Sequence, residues 1–121
     1  MAQHLLDGHT AEESACRFLR SQGLKLITRN YRCRYGELDL IMTDRATLIC
    51  IEVRYRRSGL AGGPLESITD AKKERLALAM RHFLQAHAKY QHLPLRFDVV
   101  GLSGNTAQAI DWRKAAISWD S

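Results

Sequence analysis

The chain has few cysteines and no pattern that would tie them together. Cys16, Cys33 and Cys50 are odd in number and far apart, and no CxxC pair occurs. This spacing argues against a disulfide framework or a zinc ribbon and is typical of a reducing cytoplasm. The N-terminus shows no basic-then-apolar signal pattern, and no apolar run approaches the roughly 20 residues that span a membrane. We therefore expect a cytoplasmic protein without a membrane partner.

Signatures of histidine metal sites and of nucleotide-binding loops are also missing. His82, His87 and His92 recur every five residues, which is the wrong interval for one face of a helix. The glycine-rich segment 58–67 lacks the GKS/T ending of a P-loop, so we interpret it as a mobile connection that touches substrate.

No internal repeat, low-complexity tract or linker divides the chain. Its 121 residues predict one domain, 1–121, with a motif-bearing core over 8–102.

The charge balance favours an acidic partner. Lysine and arginine outnumber acidic residues by 18 to 13, giving a net charge of +5 and a pI near 9.4. This is typical of proteins that bind nucleic acid, although many small basic proteins bind none. From position 29 to 57 every basic residue is an arginine, whose planar fork suits bidentate phosphate contacts. These residues are Arg29, Arg32, Arg34, Arg45, Arg54, Arg56 and Arg57.

Two apolar segments carry charged side chains that a buried strand would not hold without a partner. Asp39 lies in GELDLI, and Glu52 and Arg54 lie in ICIEVR. Because side chains alternate faces along a strand, Glu52 and Arg54 point the same way, roughly 7 Å apart. Burying unpaired charge costs several kcal/mol, so such carboxylates meet a cation or a metal. A structural ion pair with the nearby arginines is the alternative to a metal site.

Hydrophobic periodicity predicts two helices and five strands, in the order helix, three strands, helix, two strands. The first helix is expected to open at Thr10 and to end before Gly23, and the second to be capped by Thr69 or Asp70 and to finish near 88–90. The strands are expected at 24–31, 37–42, 47–55, 97–102 and 107–112. This pattern predicts an α/β fold in which helices flank a mixed sheet.

Two adjacent acids in the first helix receive different predictions. Thr10 and Glu13 fit a capping box, in which Glu13 folds back on the start of the helix. At about 100° per residue, Glu12 falls beside Leu19 at the edge of the buried stripe. Glu12 can therefore lean over the sheet towards Asp39 and Glu52, or it can be a solvated boundary residue.

The carboxylates match what phosphodiester hydrolysis requires. A divalent metal held by carboxylates makes water nucleophilic and neutralises charge on the phosphate. Mg²⁺, or Mn²⁺ in its place, is the predicted cofactor because both prefer oxygen ligands. Asp39 and Glu52 are the predicted direct ligands, the carbonyl of Val53 is a third, and Glu12 is expected to reach the ion through water.

Six motifs together resemble the YraN-like family of small bacterial proteins. That family is similar to archaeal Holliday-junction resolvases and to the restriction-endonuclease-like superfamily, so the resemblance implies that fold. The motifs run from about residue 8 to 102, which is most of the chain. They are Glu12-x-x-Ala15-x-x-Phe18-Leu19, Arg29-Asn30-Tyr31-Arg32, Gly36-Glu37-Leu38-Asp39-Leu40-Ile41, Ile51-Glu52-Val53-Arg54-x-Arg56, Lys72-x-x-Arg75-Leu76 and Arg96-Phe97-Asp98-Val99-Val100.

The resemblance implies a catalytic set of an acid from the first helix, an Asp and a Glu-x-Lys. These positions fall on Glu12, Asp39, Glu52 and Arg54, so this chain has arginine where the family has lysine. Arginine is not deprotonated in proteins, so Arg54 cannot act as a general base, although it can stabilise charge on a phosphate. Lys72 could supply an amine from the second helix, a point that helix geometry alone does not settle.

These features predict a metal-dependent endonuclease that acts on DNA. Branched DNA of recombination or repair is suggested only by the resemblance to resolvases, which work as symmetric pairs and so imply a homodimer. One alternative is a nucleic-acid-binding accessory protein whose site no longer cuts, with Arg54 as the sign; another is an RNA-associated factor. The predicted nucleic-acid contacts are Arg29, Arg32, Arg34, Arg56, Arg57, Lys72 and Arg75.

Other residues are predicted to have structural roles. Glu37 is expected to pair with Arg34 or Arg56, or to join the metal shell. Asp98 is expected to make a structural hydrogen bond or salt bridge near the sheet edge, with a metal-ligand role as the alternative. Trp112 and Trp119 are expected to pack against the domain.

Overall fold

The computed structural model describes residues 8–56, 68–103 and 109–117, and its element order is the predicted one. The predicted glycine-rich connection at 58–67 lies outside these ranges. The elements are α1 (Gly8–Ser21), β1 (Lys25–Cys33), β2 (Gly36–Thr43), β3 (Leu48–Arg56), α2 (Asp70–Ala86), a short 3-10 helix (Ala88–Tyr90), β4 (Leu95–Ser103) and β5 (Ala109–Arg113).

The five strands form one mixed sheet in the order β1-β2-β3-β4-β5. Neighbouring strands are antiparallel except for β3 and β4, which pair in parallel. A parallel pair requires a crossover connection, and α2 lies in the segment that makes it. The α/β fold class, with helices flanking a mixed sheet, is therefore confirmed.

The two helices cover opposite faces of the sheet. Ala15 and Leu19 of α1 belong to one buried cluster, and Leu76, Met80 and Phe83 of α2 belong to the other. Strand residues divide between the clusters by alternation, as a pleated strand buried on both faces requires. On β3, Ile49 and Ile51 join the α1 cluster, while Leu48 and Cys50 join the α2 cluster. This alternation directs Glu52 towards α2.

The end of α1 matches its prediction, whereas the start does not. Gly23 has φ +99°, and it donates to the carbonyl of Arg20 while Leu24 donates to that of Leu19. These are the paired bonds of a Schellman motif. The helix begins at Gly8, so Thr10 lies inside it and is not the cap. Local sequence identified a box-like spacing, but the helix continues through it towards the N-terminus.

The start of α2 matches its prediction and fixes one side chain of the site. Thr69 is the N-cap, and its Oγ1 accepts a hydrogen bond from the backbone N–H of Lys72 at 3.1 Å. A threonine at this position satisfies a backbone donor that the helix itself cannot. Lys72 is therefore in the first turn of α2, at the end of the helix that faces Glu52.

Asp98 makes the predicted structural salt bridge, and it also accepts hydrogen bonds from two further partners that the sequence did not indicate. Its side chain is fully buried and accepts two 2.8 Å bonds from Arg96. It also accepts from Trp112 Nε1 at 3.0 Å and from the backbone N–H of Ala115 at 2.8 Å. The carboxylate of Asp98 therefore holds β5 and the residues after it, up to Ala115, against β4. Trp112 packs against the domain, as predicted, and Trp119 lies outside the described residues.

Replacing Asp98 with alanine is expected to lower the free energy of unfolding by about 3–5 kcal/mol, because Arg96 and Trp112 lose a buried partner. Urea denaturation followed by circular dichroism measures the effect. Asp111→Ala is the matched control, since Asp111 and Arg113 form an exposed pair of the kind that contributes under about 1 kcal/mol. Equal losses in both variants would contradict the assigned role of Asp98.

Candidate functional site

Asp39 and Glu52 lie across from each other where the β2–β3 ladder ends. The last paired residues of this ladder are Leu40 and Ile51, so one further antiparallel step places Asp39 opposite Glu52. The strands do not continue their backbone pairing there. Instead, the backbone N–H of Val53 donates to Asp39 Oδ2 at 2.8 Å. The carboxylate of Asp39 thus takes the place of a backbone acceptor and is fixed against β3.

A local irregularity in β1 accompanies this break. The β1–β2 register pairs Arg29 with Leu40 and Tyr31 with Leu38, leaving Asn30 across from Asp39 without a ladder pairing. Asn30 has φ +54°, a left-handed conformation that asparagine adopts more readily than most residues. On β2 beside it, Leu40 faces α1 whereas Leu38 faces α2. Alternation alone would put both on one face.

Lys72 binds the carboxylate of Glu52 from α2. Its Nζ lies 3.2 Å from Glu52 Oε2, and the Glu52 side chain is only 8% exposed. A buried carboxylate needs such a partner, because removing it from water without one costs several kcal/mol. The structure therefore brings together Asp39, Glu52 and Lys72, three of the residues predicted for the site.

Asp39 is electrostatically unfavourable in its ionised form. Burial, followed by the charge of Glu52, raises its pKa from the usual value near 4 to about 8, and the charge of Glu12 adds to the increase. The bond from Val53 and the charge of Lys72 oppose the shift without cancelling it. Two close carboxylates that cannot both ionise freely are a frequent mark of functional sites.

Glu12 approaches the site through an asparagine that sequence reasoning missed. With its amide oriented so that donors meet acceptors, Asn30 donates to Glu12 Oε1 at 2.7 Å and to Glu37 Oε2 at 3.2 Å. Glu37 also pairs with Arg32 at 3.3 Å, so its predicted pairing with Arg34 is wrong. The side chain of Arg56, the other predicted partner, is outside the described part. The sequence signal for Asn30 is its residue type, which suits the left-handed position.

Glu13 has a different role from the predicted one. Its carboxylate accepts a hydrogen bond from Arg29 on β1 and forms a second, weaker pair with Arg17 one helical turn on. Arg29 lowers the pKa of Glu13, chiefly through this hydrogen bond. Glu13 therefore fastens α1 to the sheet. Arg29, which was predicted to contact nucleic acid, is half-buried and bound to α1, and its contact with nucleic acid stays a prediction.

The cationic residues predicted to contact nucleic acid or the metal site differ in how exposed they are. Arg54 is half-buried on β3, and no acidic side chain in the described ranges forms a salt bridge with it. Arg32, Arg34 and Arg75 are exposed. Arg57 and the side chain of Arg56 are outside the described residues. The cations near Glu52 thus come from two elements, β3 and α2, rather than from β3 alone.

The donor set suits a small divalent cation held by two carboxylates. Within the described ranges, no three His, Cys, Asp and Glu side chains converge to form a ready metal-binding group. The predicted ligands Asp39, Glu52 and Glu12 are therefore not assembled as a set of three. Mg²⁺, however, is commonly held by one or two carboxylates and completed by water and substrate phosphate. A cation would also relieve the repulsion that raises the pKa of Asp39, so the residues fit the predicted metal.

The chain is thus a small mixed α/β protein with a carboxylate–lysine site at the end of its central hairpin. It belongs to the uncharacterised protein family UPF0102, whose model matches residues 11–102. A UPF0102 protein of Nitrosococcus oceani is 48% identical over 121 residues, covering 99% of this chain and 98% of that protein. One from Pseudomonas entomophila is 47% identical and one from Coxiella burnetii 44%, each covering at least 90% of both chains.

The family match spans the six motifs identified in the sequence and confirms the resemblance to the YraN-like family. Helices that could cross a membrane are also lacking: in the described part of the chain, none is both long and apolar enough.

Proposed function

We propose that this protein is a metal-dependent nuclease that hydrolyses phosphodiester bonds in DNA. The observation that carries the proposal is the placement of Asp39 and Glu52 across the end of the β2–β3 ladder, with Lys72 Nζ 3.2 Å from Glu52. Acidic residues buried at such a point destabilise a fold unless they bind a cation. The net charge of +5 supports a polyanionic substrate.

Each residue of the site has a distinct part in this proposal. Asp39 and Glu52 would hold Mg²⁺ or Mn²⁺, which when bound neutralises phosphate charge and activates water. Lys72 keeps Glu52 oriented and places a positive charge beside the scissile phosphate. Arg54 adds a permanent charge but accepts no proton, because its guanidinium is not deprotonated. Glu12, held by Asn30, adds negative charge at the far side of Asp39.

Branched DNA is the substrate form that we propose, with two copies of the chain acting together. The family pattern resembles that of archaeal Holliday-junction resolvases and the restriction-endonuclease-like superfamily, and a junction has two equivalent strands to cut. Paired, symmetric cuts require a two-fold arrangement of sites. This part of the proposal rests on analogy between folds, so its test is separate from that of cleavage itself.

A second candidate is an accessory protein that binds nucleic acid without cutting it. Arg54 favours this candidate because it replaces the lysine of the family pattern. The Lys72–Glu52 salt bridge also favours it, since a lysine already neutralises one of the two carboxylates. Both candidates share the basic surface, so binding alone does not separate them.

Arg54→Lys is expected to increase metal-dependent cleavage several-fold, because lysine restores the amine of the family pattern. Supercoiled plasmid and a four-way junction are incubated in Mg²⁺ or Mn²⁺, and nicking is followed on gels. Wild type should cut weakly, and Glu52→Ala should not cut. If neither wild type nor Arg54→Lys cuts while binding remains salt-sensitive, the accessory function replaces the nuclease. Symmetric cuts in the junction support the branched substrate, and cuts in plasmid alone contradict it.

A further inference from the structure

A polar cleft lies between the β1–β2 turn and the outer face of α2. Its volume is about 460 Å³, within the roughly 300–1,000 Å³ range of sites that bind small molecules. Two of its six lining residues are arginines and none is acidic, so it favours an anion. The lining residues are Arg34, Tyr35, Leu78, Arg81, His82 and Gln85.

Planar groups in the cleft are held in place by neighbouring side chains. The Arg34 guanidinium lies 4.9 Å from the centre of the Tyr35 ring and donates to Tyr35 Oη at 2.8 Å. On the opposite wall, His82 Nδ1 is 2.6 Å from Tyr31 Oη. Tyrosine rings and arginine planes are the surfaces on which unpaired nucleobases stack. The cleft therefore combines a stacking surface with cations.

A series of contacts connects the cleft to the candidate site. A smaller cavity of about 30 Å³ shares Tyr35 with the cleft as a wall, and its lining includes Lys72, Arg75 and the acidic Glu37. Lys72 in turn contacts Glu52. Lys72, Arg75, His82 and Gln85 recur at three- and seven-residue spacings, which places them along one side of α2. Two cations, Lys72 and Arg75, therefore lie on the route from Glu52 to the cleft, with Glu37 beside them.

We propose that this cleft binds a single-stranded stretch of nucleic acid that leads to the site at Glu52. An unpaired base would stack against Arg34 and Tyr35, and Arg75 and Arg81 would contact the flanking phosphates. A duplex cannot use the cleft in this way because its bases are already stacked inside the helix. The position of the scissile phosphate rests on the proposed nuclease function, whereas the binding of the single strand does not.

The double variant Arg34→Gln, Arg81→Gln is expected to bind a labelled single strand of about 12 nucleotides about tenfold more weakly. Fluorescence anisotropy in EDTA measures the affinity without cleavage. Because Arg81 is the phosphate contact that this variant removes, the slope of log K against log salt should become shallower by about 0.7, the value for one single-strand phosphate. Tyr35→Leu removes the ring but keeps apolar bulk. It should weaken binding of the single strand several-fold and leave the affinity for a matched duplex unchanged.

The control pair is Arg17→Gln, Arg20→Gln, which makes the same charge change on exposed positions of α1, on the other face of the sheet. Circular dichroism and thermal melts establish that every variant is folded. Equal loss in the control pair, or equal loss on duplex, overturns the proposed cleft. If the wild type cleaves plasmid but the cleft variants bind the single strand normally, the nuclease function is supported and the cleft proposal is refuted. If the cleft variants bind the single strand more weakly but the wild type cleaves no substrate, the cleft proposal is supported and the nuclease function is refuted.

Discussion

The Asp39→Asn variant is expected to lose about 10³-fold or more of metal-dependent cleavage. Asparagine keeps an oxygen that can accept from the Val53 N–H, a 2.8 Å bond in the native protein, but it carries no charge for the metal. Charge stabilisation by a bound metal contributes several kcal/mol to such reactions, and each 1.4 kcal/mol or so is tenfold in rate. Plasmid nicking in Mg²⁺ measures the loss.

The same substitution is expected to stabilise the metal-free protein at alkaline pH. The pKa of Asp39 is raised to about 8 in the folded state, so between pH 4 and 8 the folded protein retains a proton that the unfolded chain releases. Stability from this group is therefore present below pH 4 and is lost as pH rises through 8. Asparagine removes that loss, and we expect a gain of roughly 1–3 kcal/mol at pH 8 and little at pH 4.

Thermal melts in EDTA across this pH range test the stability effect. Mg²⁺ should raise the melting temperature of wild type at pH 8 and leave that of Asp39→Asn unchanged. Asp111→Asn is the control, because Asp111 is exposed on β5 and forms only a surface pair with Arg113. A variant that is less stable than wild type at pH 8, or that still melts higher with Mg²⁺, would contradict the charge repulsion assigned to Asp39.

The Lys72→Met variant is expected to lose about 10²–10³-fold of cleavage, the usual effect of removing one charge-stabilising group from a transition state. Methionine matches much of the lysine stem but leaves the buried carboxylate of Glu52 without its cation. A site with one less positive charge should at the same time bind Mg²⁺ more tightly. Calorimetric titration with Mg²⁺ and nicking rates give the two measurements.

The opposite changes in cleavage rate and in Mg²⁺ affinity distinguish an electrostatic role of Lys72 from a purely structural one. A structural role would lower cleavage and metal affinity together, so weaker Mg²⁺ binding by Lys72→Met would contradict the proposal. Lys72→Arg should recover part of the activity because it restores the charge. Lys73→Met supplies the matched control one position further along α2, about 100° around the helix, and its cleavage should stay near that of wild type.

Much of the fold was predictable because its signals are local. Thr69 caps α2 and Gly23 ends α1 as expected, and both follow from the preferences of single residues at helix ends. The alternating apolar residues of β2 and β3 likewise predicted the central hairpin. The predicted start of α1 at Thr10 was wrong for the same reason: a capping pattern is a local preference, and it does not decide whether the helix continues past it.

The candidate site was predictable in its residues but not in its connections. Asp39 and Glu52 stood out as charges within apolar strands, which is a property of composition. Lys72 was open at that level because its reach depends on how α2 crosses the sheet. Asn30 was missed because its importance comes from its left-handed backbone and missing ladder pair opposite Asp39, which no single segment of sequence encodes.

The sequence by itself determined the helices and strands, their order, and which charged groups a buried sheet would have to accommodate. It did so because helical and strand periodicity and end-capping act over a few neighbouring residues. Only the tertiary structure decided that Asp39 faces Glu52, that Lys72 rather than an arginine contacts Glu52, and that Asn30 links Glu12 to Glu37. Those contacts join residues far apart along the chain, and they are fixed by strand register and by the packing of each helix on its own face of the sheet.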